Sequence, residues 1–172
     1  MLKITGVIFC ITGCCGYGIL KIASWNLALK EINQWILLFE KMKSHIRYQR
    51  DPLKDICCLM TQDIYGMGGQ YVANVGKRAR RQRELGFNEI WEEEMNRWKK
   101  ESMLPKEIKE LIIRFTDYTG EQDYELQMNF LDLFISNLMR EKNAMEKQIQ
   151  EKKKPVIAIS LSGGLMVSLL LL

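Results

Sequence analysis

Few residues in this sequence are of the types that carry out catalysis or bind metals. The only histidine, His45, lies in a helical pattern with no acid or cysteine four residues away on either side. Metal sites and general-base catalysis need several converging partners, so we expect His45 to be a surface or boundary residue. Cys57 and Cys58 are adjacent, whereas dithiol redox sites use a Cys-x-x-Cys spacing. We therefore interpret this pair as core packing, and an enzyme built on it is the least favoured alternative.

Two glycine-containing segments also lack the context of a nucleotide site. "GMGG" at residues 66–69 and "GKR" at 76–78 follow no predicted strand and lack the Gly-Lys-Ser/Thr ending of a phosphate-binding loop. We expect no catalytic residue, no cofactor, no metal and no small-molecule substrate, and hence a protein that is not an enzyme.

The most pronounced charge feature is "KRARRQR", which is followed by an acidic block. Its cations are Lys77, Arg78, Arg80, Arg81 and Arg83, and the acids that follow are Glu89, Glu92, Glu93 and Glu94. Nucleic-acid binding would favour a wider basic surface interleaved with aromatic residues, which is missing here. Two interpretations stay open. The basic and acidic faces neutralise each other within one helical bundle, or they bind a partner, namely an acidic protein or the anionic membrane face.

The composition favours a single helical domain. The chain has 172 residues, a net charge of +4 and only three prolines, and its long charged stretches are rich in strong helix formers. Five cysteines, two pairs of them adjacent, make a poor disulfide framework, which favours reduced thiols and a cytoplasmic location for the bulk of the chain.

Both ends of the chain are apolar and uncharged. Residues 4–20 and 155–172 would form helices of about 25 and 27 Å, the short end of what spans a bilayer. Small residues recur every four positions on both segments, as in membrane helices that pack closely together. The small residues of this predicted packing surface are Gly6, Cys10, Cys14, Gly18, Ser160, Gly164 and Ser168.

Basic residues beside the second apolar segment set the predicted topology. Lys152, Lys153 and Lys154 directly precede it, and basic residues next to a span stay in the cytoplasm. We therefore predict that both ends are membrane spans and that the chain between them is cytoplasmic. The alternative is an exported lipoprotein acylated at Cys14, because Ile11 to Cys14 has the form of a lipoprotein cleavage site; the apolar segment before it is short and weak for a signal sequence.

The chain between the ends is predicted to form about six helices. Apolar stripes of 3.6-residue period predict these helices. The first covers about 23–48, the second begins at Asp51-Pro52, and the third covers 70–85. The fourth begins at Asn88, the fifth ends at Gly120, and the sixth runs from about 121 into the last span, with a kink at Pro155. "YGMGG" at 65–69 predicts a loop. The fold class is all-α: a cytoplasmic antiparallel helical bundle (23–154) flanked by N-terminal (1–22) and C-terminal (155–172) transmembrane helices.

Two internal segments and the last span resemble those of a known family. "HIRYQRDPL" matches its Glu-Ile-x-Tyr…Pro-Leu segment, and "ELIIRFTDYTGEQDYELQ" matches its Phe-Gly-x-x-Leu-Gly-x-x-Asp-x-x-x-Gln segment. The chain resembles the stage III sporulation protein AB family of endospore-forming Firmicutes over essentially its whole length. The matching residues are Ile46, Tyr48, Pro52, Leu53, Phe115, Gly120, Asp123, Gln127 and Gly163. His45 replaces the usual Glu, Thr116 a Gly and Thr119 a Leu.

The resemblance implies a role as well as an architecture. It implies a fold similar to the cytoplasmic domains of type II secretion and type IV pilus platform proteins. It also implies a non-enzymatic scaffold in the secretion-like complex that links mother cell and forespore, located in the mother-cell membrane around the forespore. The partners implied are other subunits of that complex, including a secretion-type ATPase.

Overall fold

The computed structural model describes residues 2–49, 51–82, 84–118 and 124–171; within these, the side chains of 2–12, 14, 15, 17, 62, 63, 118, 159–161 and 163–171 are not described. The described residues form six α-helices and one 3-10 helix, and none of them is in a strand. The elements are α1 (Leu2–Gln49), α2 (Leu53–Cys58), α3 (Gln62–Arg81), α4 (Phe87–Glu101), α5 (Lys106–Ile113), the 3-10 helix (Arg114–Tyr118) and α6 (Tyr124–Leu171). The predicted all-helical class is confirmed.

The chain divides into two compact units. One consists of Met1–Leu27 together with Asn143–Leu172, and the other of Ala28–Lys142. In the part of the chain that the structure describes, we find no helix with a stretch both long and apolar enough to cross a bilayer. For most residues of the two predicted spans the structure describes the backbone but not the side chain. The same holds for the residues of the predicted packing surface, except for Gly18, which is buried.

An aromatic cluster forms the core of the unit Ala28–Lys142. Phe39 of α1 lies with its ring centroid 4.7 Å from those of Phe115 and Phe134, and Trp91 of α4 lies 5.1 Å from Phe115. Edge-to-face and tilted contacts of this kind add stability beyond the burial of apolar area. The predicted stripe on α4 is confirmed, because Trp91, Met95 and Trp98 are all completely buried.

The long helices of this unit pack antiparallel. Along α1 and α6, the Tyr124 hydroxyl donates to the Arg47 carbonyl, Lys43 pairs with Asp132, and Phe39 contacts Phe134. Residue numbers therefore rise on one helix as they fall on the other. The connections from α3 to α4 and from α4 to α5 are short, which is typical of antiparallel helical neighbours.

The predicted loop at 65–69 is wrong, since these residues lie inside α3. Gly66 alone leaves the helical conformation, with φ 61° and ψ −152°, a left-handed φ that glycine adopts without a steric penalty. Gly68 is needed for a different reason. A Cβ added there would lie 2.6 Å from ring carbons of Trp35, so the missing side chain lets α3 approach α1 closely.

Gly76 allows a second close approach, between α3 and α2. An added Cβ would lie 2.6 Å from the backbone nitrogen of Cys58 and 2.7 Å from its Sγ. Cys57 beside it is completely buried, and Cys58 is half-buried. The adjacent cysteines thus lie where α2 meets the glycine face of α3, as expected for core packing.

Several predicted helix ends are displaced along the chain. The N-cap of α2 is Pro52 rather than Asp51, and the N-cap of α4 is Gly86, so that Asn88 lies in the first turn. The helix predicted to end at Gly120 gives way after Ile113 to the 3-10 helix. Pro155 lies inside α6, which continues beyond it as predicted.

Candidate protein-interaction site

The basic segment forms the C-terminal end of α3, next to the acidic residues of α4. Arg78 is the central residue: Nη1 donates to Oε1 of Glu94 at 2.7 Å, and Nη2 donates to Oε2 of Glu93 at 2.6 Å. The Glu94 side chain is only 3 % exposed and also accepts from Arg97 at 3.0 Å. The hydrogen bonds from Arg78 to the two carboxylates raise the pKa of its guanidinium.

Arg78, Glu93 and Glu94 therefore fit the first of the two open interpretations, in which the basic and acidic faces neutralise each other within the bundle. Their charges neutralise each other between α3 and α4. A buried carboxylate without its cation would be strongly destabilising, which explains why a basic residue faces Glu94. The basic residues in the last turn of α3 also lie where the helix dipole favours positive charge. This part of the cluster is explained by stability alone.

The other cations of the segment differ from Arg78. Arg80 pairs with Asp55 of α2, its Nη2 lying 2.9 Å from Oδ1, and its side chain stays 56 % exposed. Lys77 and Arg81 are exposed, and neither forms an ion pair with any residue that the structure describes. Arg83 lies outside the described residues. On α4, Glu92 is likewise exposed and without an ion pair in the described part of the chain.

A groove lies where α2, the end of α3 and the start of α4 meet. Its volume is about 690 Å³, and the residues that line it are Lys54, Asp55, Ala79, Arg80, Leu85 and Phe87. Leu85 is exposed and Phe87 half-buried, so the groove combines apolar side chains with the cations Lys54 and Arg80. The sequence did not point to Lys54, Asp55, Leu85 and Phe87 as part of this site, since only the packing of α2 against α3 brings Lys54 and Asp55 to the basic segment.

Together, Lys54, Lys77, Arg80 and Arg81 form what we call the basic face. Because Asp55 is neutralised by Arg80, this face keeps a net positive charge. Its chemistry suits a partner that carries carboxylates next to apolar side chains, since complementary charge speeds and orients association.

His45 has an acidic neighbour that sequence spacing did not reveal. Its Nδ1 lies 3.0 Å from Oε1 of Gln49 and 3.4 Å from Oδ2 of Asp51. Asp51 lies six residues along the chain, just beyond the end of α1, so a search at four residues misses it. The described residues contain no group of three His, Cys, Asp or Glu side chains that could hold a metal ion.

The residues that carry the resemblance fall into two groups. Ile46 and Phe115 are buried in the core, and Leu53 and Gln127 are half-buried. Tyr48, in contrast, is 77 % exposed, and Pro52 is exposed at the start of α2. Gly120 and Asp123 lie outside the described residues, and Gly163 lies in α6 at a position whose surroundings are not described.

Residues 3–172 match the family model described as stage III sporulation protein AB. The chain belongs to the stage III sporulation protein AB family. It is therefore a sporulation protein. No curated protein and no solved structure matches the chain.

Proposed function

We propose that this member of the sporulation family is a non-enzymatic membrane scaffold. It docks other subunits of a secretion-like channel complex between mother cell and forespore, among them a secretion-type ATPase. Residues 4–20 and 155–172 anchor it in the mother-cell membrane around the forespore, and the bundle lies on the cytoplasmic side. The membership of the family supports the role in sporulation. The finer role follows from the physical features below.

The observation that carries the proposal is the position of Lys152, Lys153 and Lys154. All three side chains are exposed, and they directly precede an uncharged segment of 18 residues. Three ammonium groups do not cross a bilayer readily, and each gains about 1 kcal/mol from anionic lipid on the cytoplasmic face. With an uncharged segment at the other end of the chain as well, this orientation puts the bundle between two anchors.

The basic face of the bundle supports a docking role. Lys77 and Arg81 are exposed and available to a partner, whereas Arg78 is engaged by Glu93 and Glu94. A scaffold needs surface residues that are neither buried nor paired within its own fold, and Lys77 and Arg81 of the basic face meet that requirement. We propose that it contacts an acidic surface of a neighbouring subunit.

Protease protection in membrane vesicles tests the topology. In right-side-out vesicles from sporulating cells, trypsin should leave residues 21–154 intact, and it should digest them once the vesicles are permeabilised. Sodium carbonate should fail to extract the chain. Digestion in sealed vesicles, or a chain that carbonate releases, would contradict the proposal. A chain that begins at Cys14 and incorporates a labelled fatty acid there would favour the lipoprotein alternative.

A matched pair of charge reversals sharpens the test. Lys153→Glu/Lys154→Glu should lower the fraction of chains whose bundle is protected, because the cytoplasmic retention signal is weakened. Lys100→Glu/Lys106→Glu changes the net charge equally at two exposed positions of the bundle, and it should leave protection unchanged. Equal effects of the two double variants would show that the position of the lysines does not matter.

A further inference from the structure

One face of α1 carries exposed residues that the packing of the bundle does not explain. Tyr48 is 77 % exposed and Leu37 is 46 % exposed, although both are large hydrophobic residues. Between them lie Glu40 and Arg47, both exposed, and neither forms an ion pair with any described residue. We call these four residues, together with the half-buried Ser44, the α1 stripe.

The spacing puts the α1 stripe on one side of the helix. Leu37, Ser44 and Tyr48 are separated by seven and four residues, and Glu40 and Arg47 by seven, so all five fall within about a third of the helix circumference. Glu40 and Arg47 are two turns apart, about 10 Å, which is too far for them to pair with each other. Neither charge is therefore neutralised by the other.

The α1 stripe is complementary to the same stripe on a second copy that runs in the opposite direction. The midpoint of Leu37 and Tyr48 falls between Met42 and Lys43, and the midpoint of Glu40 and Arg47 falls between Lys43 and Ser44. The two midpoints differ by one residue, about 1.5 Å along the axis. A single two-fold axis therefore brings Leu37 of one copy against Tyr48 of the other, and Glu40 of one copy against Arg47 of the other.

The neighbouring surface leaves room for such a contact. A groove of about 450 Å³ runs between α1 and α6, and among the residues that line it are Glu40, Ser44, Arg47, Tyr48 and Met139. The Arg47 guanidinium carbon lies 5.8 Å from the centroid of the Tyr48 ring, so the cation and the aromatic ring lie together at one end of the stripe. Met139 is exposed and adds apolar surface at the groove edge.

We propose that the α1 stripe is a self-association surface, through which two copies of the chain pack antiparallel along α1 about a two-fold axis. A two-fold interface uses the same patch on both copies, as this arrangement requires. The partner that this surface fits is a second copy, because a single two-fold axis pairs both the opposite charges and the two large hydrophobic residues. The contact spans only three helical turns and is smaller than a typical stable interface, so we expect weak, concentration-dependent association.

Charge reversal on the full chain in detergent solution tests this inference. Sedimentation equilibrium should show the wild-type chain in a monomer–dimer equilibrium. Glu40→Arg and Arg47→Glu should each weaken dimerisation at least about tenfold, because like charges then meet twice in every dimer. Tyr48→Ala should weaken it to a similar extent by removing an aromatic contact from both ends.

Mixing the two charge variants gives the most specific outcome. A Glu40→Arg copy has two cations and an Arg47→Glu copy has two acids, so opposite charges face each other again only in the mixed dimer. The variants should therefore associate with each other, and the double variant E40R/R47E should associate with itself. Glu89→Arg, the same charge change at an exposed position of α4, should leave dimerisation unchanged.

Three results would overturn the proposal: a wild-type chain that is monomeric at all concentrations, single variants that dimerise as well as wild type, or single variants that fail to associate when mixed. The first would also be the outcome if the stripe served a different protein. Far-ultraviolet circular dichroism of each variant checks that the helices are kept. The result does not depend on the proposed membrane topology, which vesicle protection tests separately.

Discussion

The Arg78 guanidinium lies 2.7 Å from the nearly buried carboxylate of Glu94 and ties the end of α3 to α4. Arg78→Ala should therefore lower the free energy of unfolding by about 3 kcal/mol, since it removes one cation from a buried carboxylate. Urea unfolding followed by circular dichroism measures this. Adding Glu94→Gln to Arg78→Ala should recover part of the loss, because the buried charge is then gone.

Arg81→Ala is the matched control for that prediction. Arg81 is exposed on the same turn of α3 and forms no ion pair with the described residues, so its replacement should change the free energy of unfolding by less than about 0.5 kcal/mol. If Arg78→Ala were as mild as Arg81→Ala, the ion pair with Glu94 would contribute nothing to stability.

The glycines of α3 should resist replacement by alanine. At Gly68 and Gly76 an added Cβ would lie 2.6 Å from Trp35 and from the backbone of Cys58, respectively. Each alanine variant should lose about 1–3 kcal/mol in urea unfolding, although alanine is the better helix former. Gly86→Ser is the control, because nothing lies within 4 Å of its Cβ position and serine is a good N-cap. A more stable Gly68→Ala variant would contradict the close packing of α3 on α1.

Cys57 should be unreactive in the folded protein. Burial is the main cause that raises the pKa of its thiol, and the neighbouring Cys58 raises it further. Little thiolate therefore forms at neutral pH. Peptide mapping after iodoacetamide treatment at pH 7.5 should find Cys57 unmodified until urea is added. Modification of Cys57 at the rate of an unfolded control would show that the site is open.

The same shift in pKa gives a dependence of stability on pH. The folded-state pKa lies above that of the unfolded thiol, so the contribution of Cys57 is fully present below the unfolded value of about 8.5. It is lost as the pH rises above that value, because only the unfolded chain then releases the proton. The wild-type chain should lose more stability between pH 8 and pH 10 than a Cys57→Ala variant, measured by urea unfolding.

The basic face should decide binding to partner subunits. In sporulating cells, Lys77→Glu/Arg81→Glu should abolish co-purification of the acidic partner while the helical content is unchanged, since both side chains are exposed. Glu89→Lys/Glu92→Lys, a double reversal on the exposed side of α4, is the control and should keep co-purification. Partner recovery that survives the first double variant would locate docking elsewhere on the bundle.

The sequence predicted the helical class and much of the core because apolar periodicity reports which side of a helix is buried. The stripe of Trp91, Met95 and Trp98 is an example, and all three are completely buried. Glycine-rich runs are less informative. "YGMGG" has the composition of a loop, yet Gly68 is there so that α3 can pack on Trp35, a requirement that depends on another helix.

The roles of the charged residues at the end of α3 likewise depend on contacts with another helix. The sequence suggested mutual neutralisation or a partner surface, and it gave no means of dividing the residues between the two. Only the antiparallel packing of α3 and α4 shows that Arg78 faces Glu93 and Glu94 while Arg81 faces solvent. Asp51 was missed as the neighbour of His45 because the chain leaves the helix between them.

The indole of Trp35 differs from those of Trp91 and Trp98 in one respect. Trp91 donates its N–H to the carbonyls of Ile112 and Ile113, and Trp98 donates to Glu31, whereas the buried Trp35 N–H has no acceptor among the described residues. Its proton resonance should therefore lie upfield of the other two in a nuclear magnetic resonance spectrum. Its exchange with deuterium should require opening of the bundle, which makes this single proton a built-in reporter of core integrity.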